Sequence, residues 1–149
     1  MHLKNQVFTR KKALIIVLLC AALILGFLFI RWQGEKSDDL KTPEGRKSFL
    51  QNLGWNVDIS SENEKRVKIP DSFEGVMEDY NKMQQEQGLD LSLYSGKECT
   101  QYTYSLLNYP EQKENVYLSI YVLDNKLIAG DIHTNSVNGF MQGILPSSQ

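Results

Sequence analysis

From Ala13 to Ile30 the chain runs for 18 residues without one charged, amide or hydroxyl side chain. As a helix this run would be about 27 Å long, close to the roughly 30 Å hydrocarbon core of a bilayer. Lys4, Arg10, Lys11 and Lys12 precede it, and no acid does. Trp32 follows, where an indole favours the membrane interface. The basic cluster outweighs the lone Arg31, so the positive-inside rule puts the N-terminus in the cytoplasm and residues 31–149 outside. Three other fates fit less well. A helix packed on the core of a small domain would keep a polar face, and this run is apolar all round. A cleaved signal peptide has a shorter apolar region and a small-x-small site, whereas Phe29-Ile30-Arg31-Trp32 follows here. Acylation at Cys20 favours a small residue before the cysteine, and Leu18-Leu19 stand there. The expectation is a basic cytoplasmic tail at 1–12, a retained transmembrane helix at 13–30, a linker at 31–41 and one extracytoplasmic domain at 42–145.

Charge is segregated with hydropathy. Four of the 16 basic residues precede the run, leaving 12 against all 18 acids, a formal charge of −6 on the outer part. Nucleic-acid binding needs a dense basic surface to release counterions, and this sequence lacks one. The two cysteines, Cys20 in the run and Cys99 far beyond it, are not placed to pair. His2 and His133 are too distant for a zinc-type spacing. The sequence implies no cofactor.

Thr42 offers an N-cap and Pro43 suits the first helical position. Phe49, Leu50 and Leu53 make one apolar face, and Gly54 sits at a left-handed C-cap, so Pro43–Leu53 reads as a helix. Trp55, Val57 and Ile59 alternate with polar residues and read as a strand. Ser61–Lys65 reads as a loop, and Arg66–Ile69 as a short strand stopped by Pro70. Asp71 with Glu74 resembles a capping box. Phe73, Val76, Met77, Tyr80 and Met83 follow at helical spacing, predicting one long helix over Ser72–Gln87; a docking face is the alternative for that stripe, and an amphipathic stripe of this kind more often packs in the core. Glu98–Leu107 reads as a strand. Val116–Leu123 and Lys126–Thr134 read as a hairpin about an Asp124-Asn125 type I′ turn. No regular element is predicted in the tail. The fold class is α+β: a small antiparallel sheet packed against one long helix.

The succession Phe49-Leu50…Leu53-Gly54-Trp55, Ile69-Pro70…Phe73, Tyr80-Asn81…Gln84…Gly88-Leu89-Asp90-Leu91…Tyr94…Gly96-Lys97 resembles a family. So do Tyr102-Thr103-Tyr104, Asn108-Tyr109-Pro110, Asn115-Val116, Gly130-Asp131-Ile132 and Gly139-Phe140-Met141. The family is an uncharacterised domain of unknown function in membrane-tethered proteins of Gram-positive, Clostridia-type bacteria. The resemblance spans most of residues 44–143. It implies the tethered topology and the domain limits, and no activity or site residues. The chain departs from the family's pattern at Asp124-Asn125, where Gly is common at the second turn position.

Two groups of residues are candidates for function. The hairpin turn predicts the pairs Leu123 with Lys126, Val122 with Leu127, Ile120 with Ala129 and Leu118 with Asp131. Asp131 and His133 then share one otherwise apolar face, as a general base and its orienting acid would. The plainer alternative is that Gly130 bulges the strand and turns Asp131 to solvent or to a backbone cap. Tyr102 and Tyr104 share a face of one strand, and Tyr117 and Tyr121 a face of the next. Together they could form a platform for a peptide or glycan, or a half-buried face under the helix or a loop. Cys99, beside Glu98 and Thr100, has no electropositive setting for a nucleophile.

The sequence therefore points to a membrane-anchored binding or interaction module at the cell envelope. Its expected partners are the membrane and an envelope protein, peptide or glycan. The alternatives are an envelope hydrolase using Asp131 and His133, or a protease-inhibitor or sensor-type regulator that adds a strand at a sheet edge.

Overall fold

Thr42 caps the first helix, its Oγ1 accepting from the Gly45 N–H at 3.1 Å. With Pro43 at the first turn this sets α1 at Pro43–Asn52. Gly54 ends it at φ +90°, a backbone that favours glycine. The computed structural model describes residues 39–110, 115–136 and 138–145. The apolar run 13–30, the basic tail and nearly all of the linker lie outside these residues. Among the described residues no helix is long and apolar enough to cross a membrane.

The remaining elements are β1 (Val57–Lys68), α2 (Val76–Glu86), a 3-10 helix (Leu91–Tyr94), β2 (Glu98–Leu106), β3 (Val116–Leu123), β4 (Lys126–Thr134) and β5 (Met141–Gly143). The strands form one antiparallel sheet in the order β1-β2-β3-β4-β5. The fold is α+β. On one face Tyr102, Tyr104, Leu118, Ile120 and Ile132 form the main core with Leu50 of α1. On the other, Cys99 and Ala129 are packed with Leu91 and with Met77 and Tyr80 of α2.

Three expectations are corrected. There is no single long helix: α1 has 10 residues and α2 has 11. Gly75, at φ +57°, breaks the helical path that Ser72 was expected to begin, and Asp71 holds Lys68 at 2.8 Å instead of capping. The polar stretch 61–65 is not a loop. It lies within the 12-residue β1, at the sheet edge, where polar side chains meet solvent. An irregularity between Asp58 and Asn63 is accommodated by Ser61, whose Oγ accepts from the Ser105 N–H at 2.8 Å. The tail supplies β5, three residues that are too few to give a periodic pattern.

The expected apolar stripe of α2 is not its most buried face. Val76 is 84% exposed, while Asn81 and Gln84 are buried. The Gln84 side-chain amide mimics a neighbouring strand. It accepts from the Gly130 N–H at 2.9 Å and donates to the Gly130 carbonyl at 3.2 Å. Gln87 donates to the same carbonyl at 3.0 Å and accepts from the Ile144 and Leu145 N–H groups at 2.7 and 2.9 Å. These bonds satisfy buried backbone groups that would otherwise cost about 1–3 kcal/mol each. They also fix α2 against the β4–β5 end of the sheet.

Candidate functional site

The β3–β4 turn is the expected one, with Asp124 at φ +50° and Asn125 at φ +64°. Leu123 pairs with Lys126 and Val122 with Leu127, as the turn dictates. The next pair is Tyr121 with Ala129, leaving Ile128 as the extra residue of a β-bulge. The bulge shifts the remaining pairs by one. Asp131 lies opposite Ser119 and His133 opposite Tyr117, rather than on the apolar face with Leu118 and Ile120. A one-residue shift moves every later side chain to the other face.

Asp131 and His133 do come together. The His133 Nδ1 lies 2.7 Å from Asp131 Oδ1. The Tyr80 hydroxyl of α2 donates to Asp131 Oδ2 at 2.8 Å. Asp131 is 2% exposed, so the solvent-facing alternative is set aside. Where the carboxylate is ionised it only accepts, and Nδ1 is then the donor of this bond. The ring stacks on Tyr117, with centroids 5.9 Å apart. Burial and then the Asp131 carboxylate push the Tyr80 hydroxyl well above the ordinary tyrosine range, and Tyr121 up to about 12. On this face the hydroxyls of Thr103 and Ser119, the latter opposite Asp131, are bonded to each other at 2.8 Å, and Ser119 is fully buried. The arrangement can hold a proton and offer Nε2.

The four tyrosines do not form one platform. Tyr102 and Tyr104 pair with Ile120 and Leu118 on the core face, whereas Tyr117 and Tyr121 lie on the opposite face. Tyr102 and Tyr104 instead surround Arg46 of α1. Its guanidinium lies 3.7 Å from the Tyr102 ring centroid, donates from Nε to the Tyr104 hydroxyl oxygen at 2.8 Å and pairs with Glu62 at 2.7 Å. Burial opposes the Arg46 charge, and the Glu62 and Tyr104 partners more than offset it, raising its pKa. Cys99 is buried, which pushes its thiol up, away from nucleophilic character.

A surface feature that bears on the stripe of α2 adjoins this site. An apolar groove of about 360 Å³ runs beside α2, floored by Tyr80 and Tyr121 and walled by Ile69, Met77, Leu91 and Met141. A second apolar hollow shares Met77, Tyr80 and Met141 with it and is lined also by Val76 and Met83, and the two together are called the groove. Met141 is 53% exposed. Apart from Met1, every methionine of the chain, Met77, Met83 and Met141, lines it. Nothing in the sequence links Met141 to the α2 stripe, because β5 is what brings it there. Among the described residues no cluster of His, Cys, Asp or Glu is arranged to hold a metal ion.

No curated protein and no solved structure matches the chain. Residues 49–132, from α1 to the middle of β4, match a family described as a domain of unknown function, DUF4830. The match takes in Tyr80, the Gln84–Gly130 contact and Asp131, and stops before His133 and Met141. It covers more than half of the 149 residues, and the chain belongs to the DUF4830 family.

Proposed function

We propose that this chain is a membrane-anchored module whose α+β domain binds a partner outside the cytoplasm, at the envelope of a Gram-positive, Clostridia-type cell. The anchor reading rests on the apolar run 13–30 and the basic cluster before it. The binding reading rests on one observation: α2 leaves an apolar groove open beside it, with Val76 and Met141 exposed on its walls. Exposed apolar surface of this kind marks interaction sites. Unbranched methionines suit it, because they adapt to a partner's shape.

Two experiments test the two halves. For topology, a cysteine replaces Ser148 in a variant lacking Cys20 and Cys99, and intact cells are treated with a membrane-impermeant thiol reagent. Labelling in intact cells is expected; labelling only after lysis overturns the topology. For binding, a photoreactive side chain replaces Met141 or, as control, the exposed Leu107. A discrete adduct from the first position alone is expected, and equal or absent adducts at both overturn the groove as a binding surface.

A hydrolase remains the second reading, favoured by the 2.7 Å contact between His133 and Asp131. It would act through water, with Nε2 as base. Strand addition is less well supported. Of the two outer strands, β1 carries Glu62, Glu64, Lys65, Arg66 and Lys68, and β5 has three residues; charges on an edge and a very short edge strand discourage a further strand.

A further inference from the structure

We propose that the occupant of the groove is a basic amphipathic segment of another protein, with apolar side chains in the groove and lysines or arginines against α2. This inference rests on the binding reading above and adds the chemistry of the partner. Its argument is charge. Residues 71–90 carry six acids and one base, Lys82. Lys82 is already held by Glu78 at 2.9 Å and Asp79 at 3.6 Å. The other lysine on the rim, Lys68, is held by Asp71 at 2.8 Å. Asp79 itself lines the groove beside Val76 and Met77. The lining itself carries Asp79 and Lys68, each in an ion pair, and the excess negative charge lies on the segment beside it, where Glu74, Glu78 and Glu86 are exposed; that excess repels acidic peptides and the anionic surface of a membrane. It attracts a cationic segment, with a salt dependence set by screening. The two parts of the surface then divide the work. The groove supplies contact area, and the net negative charge of residues 71–90 beside it selects the sign of the partner.

The test uses the full chain in nanodiscs of zwitterionic lipid, labelled with ¹³C on the methionine methyl groups. Met77, Met83 and Met141 report on the groove, and Met1 is the control. The probes are three synthetic amphipathic peptides built from Leu and Lys, Leu and Glu, or Ser and Lys. The Leu/Lys peptide alone is expected to shift the three groove methyls, and less so as salt rises. Asp79→Lys with Glu74→Lys, both at exposed positions, is expected to weaken that binding about tenfold, with the free spectrum unchanged apart from local shifts. Equal binding of the Leu/Lys and Leu/Glu peptides overturns the charge assignment and leaves the groove as a binding surface. Binding of the Ser/Lys peptide as tightly as Leu/Lys overturns the apolar part of the proposal. No methyl shift with any peptide overturns both this inference and the groove reading. Methyl shifts on changing to anionic lipid, without peptide, assign the groove to a membrane surface and overturn the peptide proposal.

Discussion

Tyr80 on α2 donates its hydroxyl hydrogen to Asp131 on β4 at 2.8 Å, across 51 residues of sequence. The bond ties the helix to the sheet and gives a buried carboxylate one of its two partners. Tyr80→Phe keeps the ring in the groove floor and removes only the donor. We expect a loss of about 1–3 kcal/mol in chemical denaturation, the cost of a buried acceptor left short of a bond. A cycle with Asp131→Asn should show a coupling of about 0.5 kcal/mol or more. Additive single effects would mean that the contact contributes nothing to stability.

Gln84 makes a second link between the same elements, through the Gly130 backbone. Gln87 also reaches the Gly130 carbonyl, so that acceptor keeps a donor when Gln84 is lost. The Gly130 N–H does not. Gln84→Leu should therefore cost about 1–3 kcal/mol despite its added hydrophobicity. Amide exchange at Gly130 should quicken more than at Ile120, its partner on β3. Unchanged exchange at Gly130 would show that the side-chain pairing is not protecting the strand.

The parts of the fold legible in the sequence are those set by local chemistry. Thr42, Pro43 and Gly54 mark α1, and Asp124-Asn125 marks the hairpin, because caps and left-handed turns act within a few residues. The register beyond the turn was not legible, since the bulge at Ile128 has no glycine or proline to announce it. That one residue decided which face Asp131 and His133 occupy. Their mutual contact survived the error because a spacing of two keeps both on one face whatever the register. The buried amides of α2 and its C-cap ran against the hydrophobic periodicity. Gln84 and Gln87 are buried to satisfy Gly130 and the backbone after β5, a demand that exists only once the sheet has formed. The Arg46–Glu62 pair was hidden for the same reason, because Glu62 belonged to a stretch that read as loop.

Alkaline pH should destabilise the domain through its buried tyrosines. Burial, then the Asp131 carboxylate, raises Tyr121 to about 12; Tyr80 and Tyr104 are also raised, each first by burial. A raised folded value means that the stabilising contribution is complete below the unfolded tyrosine value of about 10. It is lost as pH rises through the folded value. Stability to denaturant should therefore fall from about pH 10 to 12, and phenolate absorbance from the folded protein should account for fewer than its seven tyrosines at the start of that window. A single transition near the ordinary tyrosine value, with the fold intact, would contradict the burial assigned to these rings.

The last prediction separates a structural Asp131–His133 pair from a catalytic one. His133→Ala removes the partner of Asp131 Oδ1 while Tyr80 still serves Oδ2. Asp131→Asn keeps an acceptor oxygen and removes the charge. As a structural unit the pair should lose about 1–3 kcal/mol on either change. His133→Asn, which can still donate from an amide nitrogen, should recover part of that loss. A hydrolase would behave differently. Its general base must be an imidazole with Nε2 available, so His133→Asn would be as inactive as His133→Ala while restoring stability. Measuring denaturation and a cellular phenotype on the same three variants therefore distinguishes the two roles. We expect the phenotype to follow stability, with His133→Asn close to wild type in both. If His133→Asn were folded and membrane-located yet matched a deletion strain, Nε2 chemistry would replace structural support as the role of this pair.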